Sequence, residues 1–259
     1  MPPARSVHLA AAIADLVRAH RTSAPPPRGL PYLGLEQASG TAFHLLDALA
    51  ARGIFRKYEL VLDLGAGLGA TSRWLAARLG CEVIGTADDI AEALAGNDLT
   101  RRAGLAAQVR LVPADPAALP VRSGSFTHVW AVETLAGMPA PEAAIREAHR
   151  ALRRGGMLAL QELAADDPGP PLAIPGHRPA PVGQRVAALR RAGFVELEVR
   201  DRTGEAGEPS AQLLAARAQL LRRLRAEPAL APLAEERDAV AAALAAGALR
   251  VVQILARRP

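Results

Sequence analysis

The sequence predicts an α/β protein: a doubly wound, mostly parallel sheet of seven strands, with N-terminal capping helices and a C-terminal helical lid insertion. Three observations predict it. The run Leu60-Val61-Leu62-Asp63-Leu64-Gly65-Ala66-Gly67-Leu68-Gly69-Ala70 is an apolar strand that breaks into a glycine turn and opens a helix. Apolar runs of strand length then alternate with helical patterns. Two amphipathic helices, at 209–226 and 232–246, separate the last two strands.

Residues 5–20 carry a helical pattern with Leu9, Ile13, Leu16 and Val17 on one face, ended by the linker-like Ser23-Ala24-Pro25-Pro26-Pro27-Arg28-Gly29. Residues 40–53 form a second helix, stopped at Gly53. Strands follow at 59–64, 82–87, 108–113, 126–132 and 156–162, with helices at 70–79, 89–103 and 141–153. Gly96-Asn97-Asp98 is expected to interrupt the helix at 89–103. Pro141 suits the first position of its helix, and Arg153-Arg154 suit the negative end before Gly155. Residues 164–180, rich in Pro, Gly and Asp, read as a loop over the site. A helix at 182–192, a strand from Phe194 to Val199 and a final strand from Leu249 to Leu255 complete the chain. The domain reading is a helical cap over 1–56, a ligand-binding core over 57–208, a lid over 209–246 and the last core strand over 247–259.

A glycine turn between strand and helix exposes helix N–H groups toward a bound small molecule. Two ligand classes could use it. Gly65, Gly67 and Ala70 satisfy the dinucleotide pattern G-x-G-x-x-A. Asp63 two residues earlier, with Gly69 as a third glycine, makes instead Asp-x-Gly-x-Gly-x-Gly.

Composition narrows the function classes. Half of the 259 residues are apolar, so a full core is affordable, and the formal net charge is +5. A basic balance can mark a nucleic-acid surface. Here the arginines are dispersed in pairs among acids, and aromatics are only 3%, leaving no stacking platform. The single cysteine, Cys81, excludes an internal disulfide and a thiolate metal cluster, and reads as a buried small hydrophobe. No other spacing suggests a metal site. No run approaches 18 apolar residues and the N-terminus lacks a signal-peptide pattern, so a cytoplasmic protein without a membrane partner is expected.

Further motifs follow the turn in order. Val112-Pro113-Ala114-Asp115-Pro116-Ala117-Ala118-Leu119-Pro120 lies after the third strand. Ser123-Gly124-Ser125-Phe126-Thr127-His128-Val129 leads into Trp130-Ala131-Val132-Glu133-Thr134-Leu135-Ala136-Gly137-Met138-Pro139. Leu152-Arg153-Arg154-Gly155-Gly156 precedes the fifth strand. Over roughly residues 59–163 this series resembles the class I S-adenosylmethionine-dependent methyltransferases, which have a Rossmann-like fold. The Val129–Pro139 run is most similar to their small-molecule branch, which acts on sugars, sterols and natural products. The resemblance implies S-adenosylmethionine as cofactor, contacted at Asp63, Gly65, Ala66, Gly67, Ala87, Asp88, Asp115, Pro116 and Val132. Asp63 would sit near the methionine part, and Asp115 would accept from the adenine amino group. A small-molecule acceptor is implied and no nucleic acid, since the Asp/Asn-Pro-Pro-Tyr/Phe run used on nucleobases is absent. A homodimer is compatible with this reading.

Two departures stand out. Relatives end the second strand with an acid that binds the ribose hydroxyls, where this chain has Ala87. Asp88 is one residue late, which turns a strand side chain to the other face. Asp89 reads as a helix cap. Relatives also carry a histidine where Gly137 stands. Among the six histidines, His177 on the loop over the pocket is the acid/base candidate; His128 is expected to be packed, and His8, His20 and His149 mostly solvated, with His44 near the start of its helix. Glu133 ends the fourth strand and either faces the transferred methyl group or stabilises the loop. Asp63 could also tie down the glycine loop through backbone N–H groups. Tyr32 and Gln37 are candidates to line the pocket. Methyl transfer from a sulfonium is an in-line displacement, in which the protein positions the acceptor, excludes water and, for a hydroxyl, supplies a base. The alternative is a methyltransferase-like binding or auxiliary protein with weak or lost catalysis.

Overall fold

The computed structural model describes residues 3–20, 31–36, 43–165, 172, 174–205 and 211–259. One sheet contains β1 (Leu60–Asp63), β2 (Glu82–Ala87), β3 (Val109–Pro113), β4 (Phe126–Val132), β5 (Leu152–Ala165), β6 (Val195–Asp201) and β7 (Leu249–Arg257). Their order is β3-β2-β1-β4-β5-β7-β6. The first five strands are parallel, and β7 lies antiparallel between β5 and β6. The chain winds outward from β1 to β3, then restarts on the other side at β4. The carboxyl ends of β1 and β4 therefore border the crevice where such sheets bind ligands.

Both faces are covered, as continuous apolar strands require. Leu62, Val129, Ala131 and Leu160 pack with Ile145 of α5 (Pro141–Ala151) and Leu189 of α6 (Val182–Arg191). Val61, Val83, Trp130 and Ala159 pack with Leu46 and Leu49 of α2 (Phe43–Arg52) and Leu75 of α3 (Ala70–Leu79). Trp130 is fully buried, edge-on to Phe55 and stacked with Trp74. A third cluster joins α1 (Pro3–His20), α4 (Ile90–Arg102) and α7 (Ala211–Ala226) through Ile13, Leu99 and Leu220. Helix α8 (Ala231–Ala245) follows α7, so both helices lie between β6 and β7 in the chain. No helix of the described residues is long and apolar enough to cross a membrane.

Two boundaries differ from the sequence reading. Helix α4 runs unbroken through Gly96-Asn97-Asp98. A Cβ at Gly96 would lie 2.3 Å from a Leu111 methyl, so glycine lets the helix close on the sheet. Asn97 donates to Leu111 O at 2.8 Å and accepts from Leu111 N at 3.0 Å, satisfying the open edge of β3. Tertiary contacts here overrode weak helix propensity. Strand β5 begins at Leu152, within the span expected for α5. Leu152 pairs with Phe126, and Gly155 N–H donates to Arg258 O at 2.8 Å, so Arg153 and Arg154 belong to a strand instead of a helix end.

Candidate active site

The glycine turn is shaped by what it must approach. Gly65 has φ 67°, and a Cβ there would lie 1.9 Å from Thr134 Oγ1. Its N–H donates to Thr86 Oγ1 at 2.8 Å. Gly67 has φ 55°, and its missing Cβ would meet only Glu92 Oε1, at 3.7 Å. Asp63 lies beneath the turn, fully buried. It does not tie down the loop backbone, as the sequence reading allowed. Its Oδ2 accepts from Thr71 Oγ1 at 2.7 Å and Ser72 Oγ at 2.6 Å, both on α3. Its Oδ1 is buried with no hydrogen-bond partner. Burial lifts this carboxyl to about 6, against those two hydroxyl bonds.

At the end of β2, Ala87 is buried and Asp88 is exposed. Asp89 caps α4, its Oδ1 accepting from Glu92 N at 2.8 Å. After β3, Asp115 is exposed and one of its oxygens accepts from Ala117 N at 2.8 Å, while Pro116 is half-buried.

A cavity of ≈180 Å³ opens beside the turn. Gly65, Ala66 and Gly67 form one wall, and Val132, Glu133 and Thr134 at the end of β4 another. Glu133 is held at φ 56°, a strained conformation for a residue with a side chain. Its N–H donates to Gln161 O at 2.6 Å, and Gln161 Nε2 donates to its Oε1 at 3.2 Å. Gln253 Nε2 donates in turn to Gln161 Oε1 at 3.0 Å and Leu45 O at 2.8 Å. This chain of amides braces the β4 turn and holds Glu133 on the cavity wall.

His177 closes the cavity from the β5–α6 segment, and Glu236 from α8. The two pair, His177 Nε2 to Glu236 Oε1, at 2.8 Å. The segment is pinned to the β4 side, with Arg178 N–H donating to Ala136 O at 2.7 Å. A Cβ at Gly137 would lie 3.6 Å from Gly176 O. The turn that carries His177 thus faces Gly137 across a second cavity of ≈340 Å³, which both line.

Behind this pair lies Glu162, 3% exposed, with Arg185 at 3.8 Å and Leu135 N–H donating to it at 3.4 Å. Burial pushes its carboxyl up to about 7, with Glu133 adding to the rise and Arg185 and His177 opposing it. The folded state therefore holds this proton more tightly than the unfolded chain, whose glutamate titrates near 4.5. The stability it contributes is whole below about pH 4.5 and is lost as pH rises through about 7. Asp63 acts with the same sign. Wild type is expected to lose up to about 3 kcal/mol between pH 4.5 and 8 through Glu162, and Glu162→Gln to flatten that slope. Urea unfolding at several pH values checks it.

Sequence reasoning missed Glu36, Thr134 and Glu236 on the cavity wall. Glu36 pairs with the fully buried Arg73 at 2.5 Å, and its other oxygen is buried and unpartnered. Helical spacing in α8 carried no sign of Glu236. Tyr32 is not among the described residues lining this cavity: it is buried, its hydroxyl donates to Leu99 O at 2.8 Å, and it anchors its segment to α4. Gln37 and the side chains of His20 and His44 lie outside the described residues. His8 is exposed. His149 is half-buried against Phe194 instead of solvated. His128 is packed as expected, with Nε2 2.9 Å from Gly53 O. Cys81 is free and buried.

A family model described as a methyltransferase domain matches residues 62–160. Residues 62–160 are thus similar to a methyltransferase domain, a match that covers less than half of this chain and runs from β1 into β5 through the glycine turn. Methyltransferase GfsG of Streptomyces halstedii is 36% identical over 103 residues, 40% of this chain and 37% of that one. Malonyl-[acyl-carrier protein] O-methyltransferase of Enterobacter lignolyticus is 37% identical over 120 residues, 46% and 45% of the two chains. The match thus spans less than half the length of these curated relatives. Among solved structures, the [4+2]-cyclase SpnF superposes with a TM-score of 0.71 at 25% identity, covering 83% of this chain and 80% of that one. Within the matched span lie Asp63, the glycines and Glu133; His177 and Glu236 fall outside it.

Proposed function

We propose that the protein transfers a methyl group from S-adenosylmethionine to a small-molecule acceptor, with His177 as the base for a hydroxyl and Glu236 as the group that orients it. The observation that carries this reading is the His177–Glu236 pair facing the cavity beside the glycine turn. The residues present fit the cofactor. Asp63 Oδ1 is a buried acceptor in want of a donor, Gly67 leaves the turn open, and Asp115 keeps one oxygen free of the Ala117 bond. The site residues proposed toward it are Asp63, Gly65, Ala66, Gly67, Ala87, Asp88, Asp115, Pro116 and Val132.

When bound, the cofactor supplies an electrophilic methyl group on sulfur. This chain's residues do the rest. With Glu236 on Nε2, Nδ1 of His177 is the nitrogen left to accept the acceptor's proton. Glu133 and Thr134 bound the cavity at the β4 end and orient the acceptor. Helices α7 and α8 act as a lid over 209–246 and residues 1–56 as a cap, which together exclude water. An amine acceptor reacts without a dedicated base, so O-, N- and C-methylation all remain within the proposal.

Ala87 and Gly137 favour a second reading, a methyltransferase-like binding or auxiliary protein. Calorimetric titration with S-adenosylmethionine and S-adenosylhomocysteine separates these readings from a degenerate fold. Micromolar binding, weakened about tenfold or more in Asp115→Ala, supports the cofactor site. No binding to either ligand overturns it. Binding with no turnover across hydroxyl and amine acceptors favours the auxiliary reading.

A further inference from the structure

We infer that the acceptor lies in the second cavity, over Gly137, and carries a carboxylate that Arg178 receives. This deepens the methyl-transfer reading proposed above and rests on it. The second cavity adjoins the one beside the glycine turn, and His177 lines both. Met138 lines the second, and its Cε lies 3.2 Å from the point where a Gly65 Cβ would sit. The proposed base and a flexible thioether therefore stand where the two spaces meet. Gly137 keeps the second space open. Its φ lies outside the left-handed region, so the backbone would accept a side chain, and a Cβ there would meet nothing nearer than Gly176 O at 3.6 Å.

The two cavities differ in charge. Three carboxylates, Glu36, Glu133 and Glu236, border the first, which suits the positive sulfonium of a methyl donor. Among the described residues bordering the second there is no carboxylate, and Arg178 is the permanent cation. Arg178 is exposed, and its side chain pairs with no described carboxylate. Its place on the rim is nonetheless fixed. Its N–H donates to Ala136 O at 2.7 Å, and the turn before it closes with His177 N–H donating to Ile174 O at 3.1 Å. A guanidinium matches a carboxylate in geometry as well as charge. One guanidinium balances one negative charge, so a carboxylate suits it better than a dianionic phosphate. Buried Ile174 and half-buried Met138 give the cavity an apolar wall for the body of the acceptor.

The test is calorimetric titration of the full chain, loaded with S-adenosylhomocysteine, with ω-hydroxyoctanoate, octane-α,ω-diol and ω-aminooctanol. These probes share a hydroxyl and an apolar chain and differ in the charge at the far end. Wild type is expected to bind the carboxylate about tenfold more tightly than the diol at low salt, and the ammonium most weakly. Arg178→Gln keeps the backbone bond to Ala136 O and should erase the preference for carboxylate over diol. Gly137→Leu should weaken carboxylate and diol alike by about tenfold, with unchanged affinity for S-adenosylhomocysteine certifying an intact fold. No wild-type preference for the carboxylate, a preference that survives in Arg178→Gln, or full probe affinity in Gly137→Leu would overturn the inference. So would binding of none of the probes to a chain that binds S-adenosylhomocysteine. Failure of wild type to bind S-adenosylhomocysteine would instead overturn the methyl-transfer reading on which it rests.

Discussion

The His177→Ala protein is expected to lose about 10²–10⁴-fold in kcat on a hydroxyl acceptor and to keep its affinity for S-adenosylhomocysteine. The loss follows from geometry. His177 lines the cavity, and Glu236 at 2.8 Å fixes its ring and supports the imidazolium as it forms. Gly137 provides no base of its own. Glu236→Gln keeps a hydrogen bond to the ring but removes the charge, and is expected to cost about tenfold. On an amine acceptor the His177→Ala loss should shrink to a few-fold. Steady-state rates of both variants on one hydroxyl and one amine acceptor make the comparison. Equal losses on the two acceptors would assign His177 a packing role instead.

Gly65→Ala is expected to abolish cofactor binding and to destabilise the fold by about 3 kcal/mol. Two separate penalties meet at this position. The φ of 67° is one that a side chain resists, and the new Cβ would lie 1.9 Å from Thr134 Oγ1. Thr134 Oγ1 already donates to Gly65 O at 3.4 Å, so moving it aside also breaks that bond. Gly67→Ala meets only Glu92 Oε1 at 3.7 Å and pays chiefly the backbone penalty at its φ of 55°. It should unfold at higher urea than Gly65→Ala, although it still disturbs the ligand-facing wall. Urea melts of the two variants, read beside calorimetry, rank them.

Most of the core was legible because its signals are local. Val61 and Leu62 alternate between the two faces of a strand, and Gly65 and Gly67 announce the turn within a few residues. The element order from β1 to β4 followed from that alternation. What misled the reading was also local. Gly96 and Asn97 look like helix breakers, yet one admits a Leu111 methyl and the other pairs the edge of β3. Tyr32 looks like a pocket residue until Leu99 O takes its hydroxyl.

By itself the sequence determined the sheet, the glycine turn and the crevice at the ends of β1 and β4, since each is written in contiguous residues with a fixed period. Its resemblance to the methyltransferases also singled out Ala87, where an acid was expected, and Gly137, where a histidine was expected. Only the tertiary structure decided which groups stand near those positions. His177 and Glu236 are 59 residues apart and meet because α8 and the segment after β5 both fold over the carboxyl end of β4. Glu92 reaches Gly67 because α4 starts beside the turn. Such juxtapositions have no period and no spacing, because they depend on how the sheet winds and where each connection returns.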